Sequence, residues 1–274
     1  MISDILDIVL CPVCRGAIAD GLRCKCCGRS FPVVDGVPDL VDVRTSQRRA
    51  RWRRADFEAG KVENLLELHR RFFNPETAAA AEAMRAAVAR RTDGLSGLVA
   101  DVAVGLGGLL PFLLSAAVRP AVVAVDIDPL VLGWVRDRAA RKHPDRWFRA
   151  VASDVRRFAF RDGVYDAVTS NNGLLSVRGT AAFLAEMRRS LKPGGRLLLT
   201  HRMFDPASRS YQLGRIYGFH QTLERRGLRL LLAAAGFRDA TVDMVAAAPW
   251  ADNPAQPFPV AGDVQQFVIV EARA

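Results

Sequence analysis

The chain has 274 residues, of which 50% are hydrophobic and 25% charged, with a formal net charge of +10. That length buries a substantial core, as one large domain or one domain with a small appendage, and the balance excludes a fibrous or disordered chain. No uninterrupted apolar run approaches the roughly 20 residues that span a bilayer, so no membrane partner is expected. The opening "MISDILDIVLCPVC" carries Asp4 and Asp7 and no basic stretch, unlike a signal peptide, which makes the cytoplasm the expected location. Lysine occurs only at Lys25, Lys61, Lys142 and Lys192, so arginine carries the charge. A basic balance favours polyanions in general, and it equally follows from the alanine and arginine bias of a GC-rich bacterial genome.

The cysteines come first, in "CPVCRGAIADGLRCKCCG". Cys11 and Cys14 form one C-x-x-C pair and Cys24 and Cys27 another, with Cys26 between the latter two. Two such pairs joined by a short hairpin can place four thiolates tetrahedrally around a zinc ion. Four thiolates leave no open coordination position, so the expected site is structural rather than catalytic. A cytoplasmic chain argues against the alternative, a pair of disulfides. Spacing favours Cys27 over Cys26 as the fourth ligand without deciding it, and Gly16 and Gly28 suit knuckle turns.

With the "FPVVDGVPDLV" that follows, this C-P-x-C and C-x-x-C-G pattern resembles the zinc ribbon related to the activator subunit of tRNA methyltransferases. The resemblance covers about 45 residues. In bacteria that ribbon is often fused ahead of a methyltransferase domain, so it implies that one follows.

Residues 44–54, "RTSQRRARWRR", read as a solvated linker with Trp52 pinned to the main domain, the alternative being an RNA-contacting stripe. "KVENLLELHRRFF" and "PETAAAAEAMRAAVARR" predict two helices broken at Asn74 and Pro75, with Pro75 at a helix start, forming part of a lid. His69 on the first of them reads as a surface or packing residue.

"VADVAVGLGGLLPFL" predicts a buried strand, a glycine turn over 105–108 and a helix. "AVVAVDIDP" gives a second buried strand ending in Asp126, about twenty residues past the glycines, the distance at which a doubly wound fold sets an acid on a ribose. The dinucleotide fingerprint fails at its third glycine, which would fall at Leu110. The order and spacing of "VADVAVGLGG", "AVDIDP", "ASDVRRFAFRDGVYDAVTSNNGLLSV", "EMRRSLKPGGRLLLT" and "LRLLLAAAGF" resemble the class I S-adenosylmethionine (SAM)-dependent methyltransferases. The resemblance implies an α/β, Rossmann-like seven-stranded sheet with helices on both faces, preceded by the small zinc ribbon. It implies SAM as cofactor. Asp101 would close the first strand, with Ala103, Gly105 and Gly107 bringing the backbone to the methionine part. Asp126, with Ile127 beside it, would hold the ribose hydroxyls, Asp154 and Val155 would flank adenine, and Asn171 would line the transfer site. "LKPGG" would be the turn into strand five and "QQFVIVEARA" the antiparallel last strand. Ala103 departs from the family's usual first glycine, as it also does in quinone-biosynthesis methyltransferases. Asp166 and Asp128 read as caps of a strand and a helix.

The expected organisation is a zinc-ribbon domain over 1–45, a helical linker or lid over 46–97 and a SAM-binding domain over 98–274. In methyl transfer the protein chiefly aligns the acceptor, and a base is needed only when the acceptor must lose a proton. His201, expected just past strand five, and His220 are the base candidates, with Tyr217 a further pocket residue. The favoured partner is a small-molecule acceptor, such as a bacterial secondary metabolite or a quinone-like compound, methylated at O, N or C. The alternatives are an rRNA or tRNA base, against which stands "SNNGLL" in place of N-P-P-[YF], and a non-catalytic scaffold with a protein partner. A homodimer is a further assembly to consider.

Overall fold

The computed structural model describes residues 2–44, 52–253 and 258–274. Most of the basic stretch over 44–54 thus lies outside the described residues, as does the side chain of His69. The N-terminal part contains two antiparallel hairpins, β1 (Ile18–Ala19) with β2 (Arg23–Cys24) and β3 (Val33–Val34) with β4 (Val37–Pro38). Three helices follow: α1 (Arg54–Glu58), α2 (Lys61–Arg71) and α3 (Pro75–Thr92). The predicted break between the latter two is real, because the Asn74 side chain accepts the Thr77 N–H at 2.7 Å and Pro75 opens α3.

The remainder alternates strands and helices: β5 (Leu98–Val102), α4 (Leu110–Ser115), β6 (Ala121–Asp126), α5 (Pro129–Lys142), β7 (Phe148–Ala152) and β8 (Tyr165–Asn171). It continues through α6 (Gly173–Ser176), α7 (Thr180–Ser190), β9 (Leu191–Phe204), α8 (Arg209–Tyr217), α9 (Arg225–Ala234), β10 (Arg238–Pro249) and β11 (Val264–Arg273). The sheet order is β10-β11-β9-β8-β5-β6-β7, with β5 to β9 mutually parallel and β11 antiparallel to both its neighbours. This is the seven-stranded class I methyltransferase arrangement. Burial on both faces explains why β5 and β6 read as nearly continuous apolar runs.

Helices α3, α4 and α5 pack on one face through Val88, Leu113, Leu132 and their neighbours. On the other face α7 and α9 contribute Phe183, Leu184, Leu228 and Leu232. The N-terminal segment has no core of its own. Ile5, Val9, Ile18 and Leu22 join the α7 and α9 side, while Val37 and Val41 join the α5 side, so the segment wraps β7. Its backbone is tied in as well: the Leu40 N–H donates to the Ala152 carbonyl at 2.8 Å and the Leu10 N–H to that of Ala159 at 2.9 Å. Arg15 reaches the Phe160 carbonyl and Asp162, and Arg149 pairs with Asp4. Trp52 is anchored as expected, against Phe57, which in turn packs on Trp134 of α5.

Two sequence expectations shift. "LKPGG" is not a turn ahead of the strand but an excursion inside it: Leu191 already pairs with Tyr165, and Arg196 resumes with Ala167. Nor does the strand end before His201; β11 pairs with it as far as Phe204, so His201 lies within β9 opposite Val268.

Phe160 is fully buried where the N-terminal segment meets the sheet, 4.5 Å from Phe158 and 5.5 Å from Tyr165 between ring centroids. Phe160→Ala is therefore expected to cost about 3–5 kcal/mol of folding free energy in urea titrations. A loss below about 1 kcal/mol would mean that this junction does not hold the segment to the domain.

Candidate active site

Four elements converge at the C-terminal ends of the parallel strands. Beyond β5 the chain turns through residues 103–108, and the Gly105 N–H donates to Asp126 Oδ2 at 2.8 Å. Asp126 Oδ1 accepts the Asp128 N–H at 3.2 Å, and Asp128 in turn caps α5 through the Leu130 N–H at 2.9 Å, the cap read from the sequence. Burial pushes the Asp126 carboxyl above its usual range, opposed by the N–H groups of Gly105, Asp128 and Ile127.

Around this acid lies a cavity of about 400 Å³, walled by Ala103, Gly105, Asp126, Ile127, Asp154 and Val155. Six of the nine cofactor candidates thus come together. Asp154, almost buried, takes a bidentate ion pair from Arg156, with Arg156 Nε at 3.0 Å and Nη2 at 2.7 Å. The sequence reading missed Arg156 and Arg178, which also border this cavity. Spacing offered no sign of them, since arginine is abundant throughout.

The other three sit elsewhere. Asp101 is 1% exposed beneath the turn and accepts the Thr169 hydroxyl at 2.8 Å, so it braces β5 against β8 rather than facing the cavity. Burial holds its carboxyl at about 7. Gly107 has φ +79 and packs toward Leu110 and Val135, on the α4 and α5 side. Asn171 accepts the Thr200 hydroxyl at 2.6 Å and borders a second, neighbouring cavity of about 220 Å³ between α3, α4 and the sheet.

Ala103 adopts φ +48, a conformation natural to glycine and costly to alanine. Its methyl sets a second constraint, because a Cβ on Gly173 would come within 3.2 Å of the Ala103 Cβ.

His201 also borders the second cavity, but its ring is buried and its Nε2 lies 2.8 Å from the Thr222 carbonyl. Because that carbonyl only accepts, Nε2 carries the proton and Nδ1 keeps the lone pair, with no partner among the described residues. Burial pushes the imidazole down to about 4. His220 is partly buried, edge-on to Tyr211, and Tyr217 is 57% exposed and stacked on Phe219. Neither borders the two cavities at the strand ends.

In the N-terminal segment Cys11, Cys14, Cys24 and Cys27 have their sulfurs within 4.8 Å of one another. Cys11 and Cys27 are 3.7 Å apart and Cys14 and Cys24 3.5 Å apart. A tetrahedron with metal–sulfur bonds of about 2.3 Å has edges of about 3.8 Å, so the donor set fits a zinc-sized ion. All five thiols are free, and Cys26 is exposed outside the cluster. Crowding there requires Gly16, where a Cβ would lie 2.6 Å from the Cys26 Cβ. Burial raises the Cys24 thiol, but the N–H groups of Cys27 and Cys26 and the adjoining thiols bring it down to about 6.

Comparison with known proteins bears on the larger domain. Residues 100–199 match the family described as "Methyltransferase domain". The demethylmenaquinone methyltransferase of Mycobacterium tuberculosis is 41% identical over 86 residues, which are 29% of this chain and 35% of that protein. A ubiquinone/menaquinone biosynthesis C-methyltransferase of Burkholderia orbicola is 34% identical over 118 residues, 42% of this chain and 48% of that one. The chain thus spans between a third and a half of the length of these relatives. Among solved structures, geranyl diphosphate C-methyltransferase from Streptomyces coelicolor superposes with a TM-score of 0.53 at 16% identity, over 69% of this chain and 74% of that one. No helix among the described residues is long and apolar enough to cross a membrane.

Two outcomes follow from the geometry. Ala103→Gly is expected to raise stability by about 1 kcal/mol by relieving the positive φ, read as an upward shift in Tm; an unchanged or lower Tm would show the turn to be unstrained. Because His201 binds its proton less readily folded than unfolded, stability is full above pH 6.5 and is lost as pH falls from 6.5 toward 4, by up to about 3 kcal/mol. His201→Gln, which keeps a donor for Thr222, should flatten that acid limb, and an unaltered pH profile would contradict the assignment.

Proposed function

We propose that the chain is a SAM-dependent methyltransferase acting on a small-molecule acceptor, with a structural zinc ion in its N-terminal ribbon. The observation that carries the reading is the Asp126 carboxylate, fixed by the Gly105 and Asp128 N–H groups at the mouth of a cavity of about 400 Å³. The carboxylate keeps acceptor capacity for the vicinal hydroxyls that a ribose presents. Asp154, oriented by Arg156, is an acceptor for an exocyclic amine at the adenine end. SAM, when bound, supplies the electrophilic methyl group; the chain binds, orients and excludes water.

The acceptor would enter the neighbouring cavity, where Met84, Leu109, Phe112 and Phe267 provide apolar walls. Its volume of about 220 Å³ suits a small molecule better than an RNA segment. Its titratable wall groups are Arg85, His201 and Arg202, and a histidine held at about 4 is a poor base at neutral pH. The reading therefore favours an acceptor whose own proton is acidic, such as a phenol or hydroquinone. This accords with the quinone-modifying activities named for the curated relatives. Many arginines, among them Arg29, Arg91, Arg189 and Arg196, are committed to internal carboxylates, which weakens the case for an RNA surface.

Calorimetric titration of SAM into zinc-replete protein is expected to give a Kd of about 1 μM, roughly −8 kcal/mol, with Asp126→Asn at least tenfold weaker. Heat with NADH but not with SAM would overturn the cofactor assignment. For the ribbon, metal analysis should return one zinc per chain, and Cys24→Ser or a strong chelator should lower Tm by several degrees. Metal-free protein with an unchanged Tm would remove the zinc from the reading.

A further inference from the structure

Arg202 stands on β9 with its guanidinium 5.4 Å from the Trp250 ring centroid and 6.0 Å from that of Phe267. Trp250 is buried and is itself met edge-on by Phe73. Among the described residues no carboxylate pairs with this guanidinium, and none of its N–H groups is given to a protein acceptor. That sets it apart from the paired arginines elsewhere in the chain. Burial pushes it down to about 10. Contact with the two aromatic rings offsets part of the cost of partly desolvating this half-buried cation and leaves its N–H groups without a charged partner.

The cavity it borders has a consistent character. Arg85 stands at its α3 wall, Asn171 and Thr200 add polar groups, and no acidic side chain lines it. Arg85 is more than half exposed and pairs with Glu82 on its own helix, so it sits as a rim charge, whereas Arg202 lies deeper. A guanidinium with five unused donors, held over aromatic rings, matches the paired oxygens of a carboxylate or phosphate.

We propose that Arg202 seats an anionic group of the acceptor, a carboxylate or a phosphate, in the cavity beside Asn171, with Arg85 closing over it from α3. The inference rests on the transferase reading for the word acceptor, and on the cavity alone for the anion. Ionic pairing with Arg202 would fix one end of the molecule and so set which atom faces the cofactor cavity. It would also select against neutral analogues, because they leave the half-buried guanidinium unpaired.

The test is direct binding, independent of turnover. Inorganic phosphate and benzoate are titrated separately into the full-length protein by calorimetry, with and without S-adenosylhomocysteine. At least one of the two is expected to bind in the millimolar range. Arg202→Met, which keeps apolar contact with Trp250 and Phe267, should weaken that binding at least tenfold, while SAM affinity stays within twofold. Arg85→Ala, at an exposed position that leaves the fold intact whatever Arg202→Met does, should weaken it about threefold. Preference for phosphate would mark a phosphorylated acceptor, and preference for benzoate a carboxylic acid. Failure of both anions to bind, or equal binding by wild type and both variants, overturns the proposal. Anion binding without SAM binding would instead overturn the transferase reading and leave the anion seat standing.

Discussion

One hydrogen bond organises the site: the Gly105 amide on the Asp126 carboxylate, at 2.8 Å. It ties the turn after β5 to the end of β6, and through Asp128 it reaches the first turn of α5. The turn after β5 and the β6–α5 junction, 21 residues apart, are thereby locked before any ligand arrives. The acid is held by main-chain donors, which cannot rotate away, and its residue lines the cavity. Preorganisation of this kind spares the ligand the entropic cost of ordering the loop.

The two cavities at the strand ends differ in their charged lining. Asp126 and Asp154 give the first a pair of carboxylates, with Arg156 and Arg178 also on its wall. The second has arginines and no acid. An anion would find the complementary field in the second alone, where no acid opposes the arginines. Charge, rather than shape alone, then distinguishes the two chambers.

Much of this was legible in the sequence, for identifiable reasons. Parallel strands buried on both faces leave continuous apolar runs, so "LVADV" and "AVVAVD" announced themselves, and the distance from the glycines to Asp126 placed the acid. C-x-x-C spacing favoured Cys27 over Cys26 without deciding between them, and the sulfur cluster includes Cys27. What stayed hidden depends on partners remote in the chain. Thr200, His201 and Arg202 look like the polar end of a strand, yet β11, much later in the chain, carries the pairing through to Phe204. His201 is accordingly a core residue locked to Thr222. Asp101 occupies the family's motif position, but its side chain is claimed by Thr169 from the adjoining strand. Arg202 was invisible among so many arginines, because its distinction is the absence of a partner, which only three dimensions reveal.

The N-terminal segment has a further meaning. β7 is the last strand of the large sheet, and its free side is met by the chain around Asp39 and Leu40, which bridge to Ala152 in parallel fashion. The first forty-odd residues therefore act as a cover for an otherwise naked row of peptide groups. A truncated protein that began at residue 46 would keep every cavity-lining residue discussed above and yet present β7 to its neighbours as a template for strand addition. Such a protein would be expected to aggregate, so the segment serves the colloidal safety of the fold as well as any metal it holds.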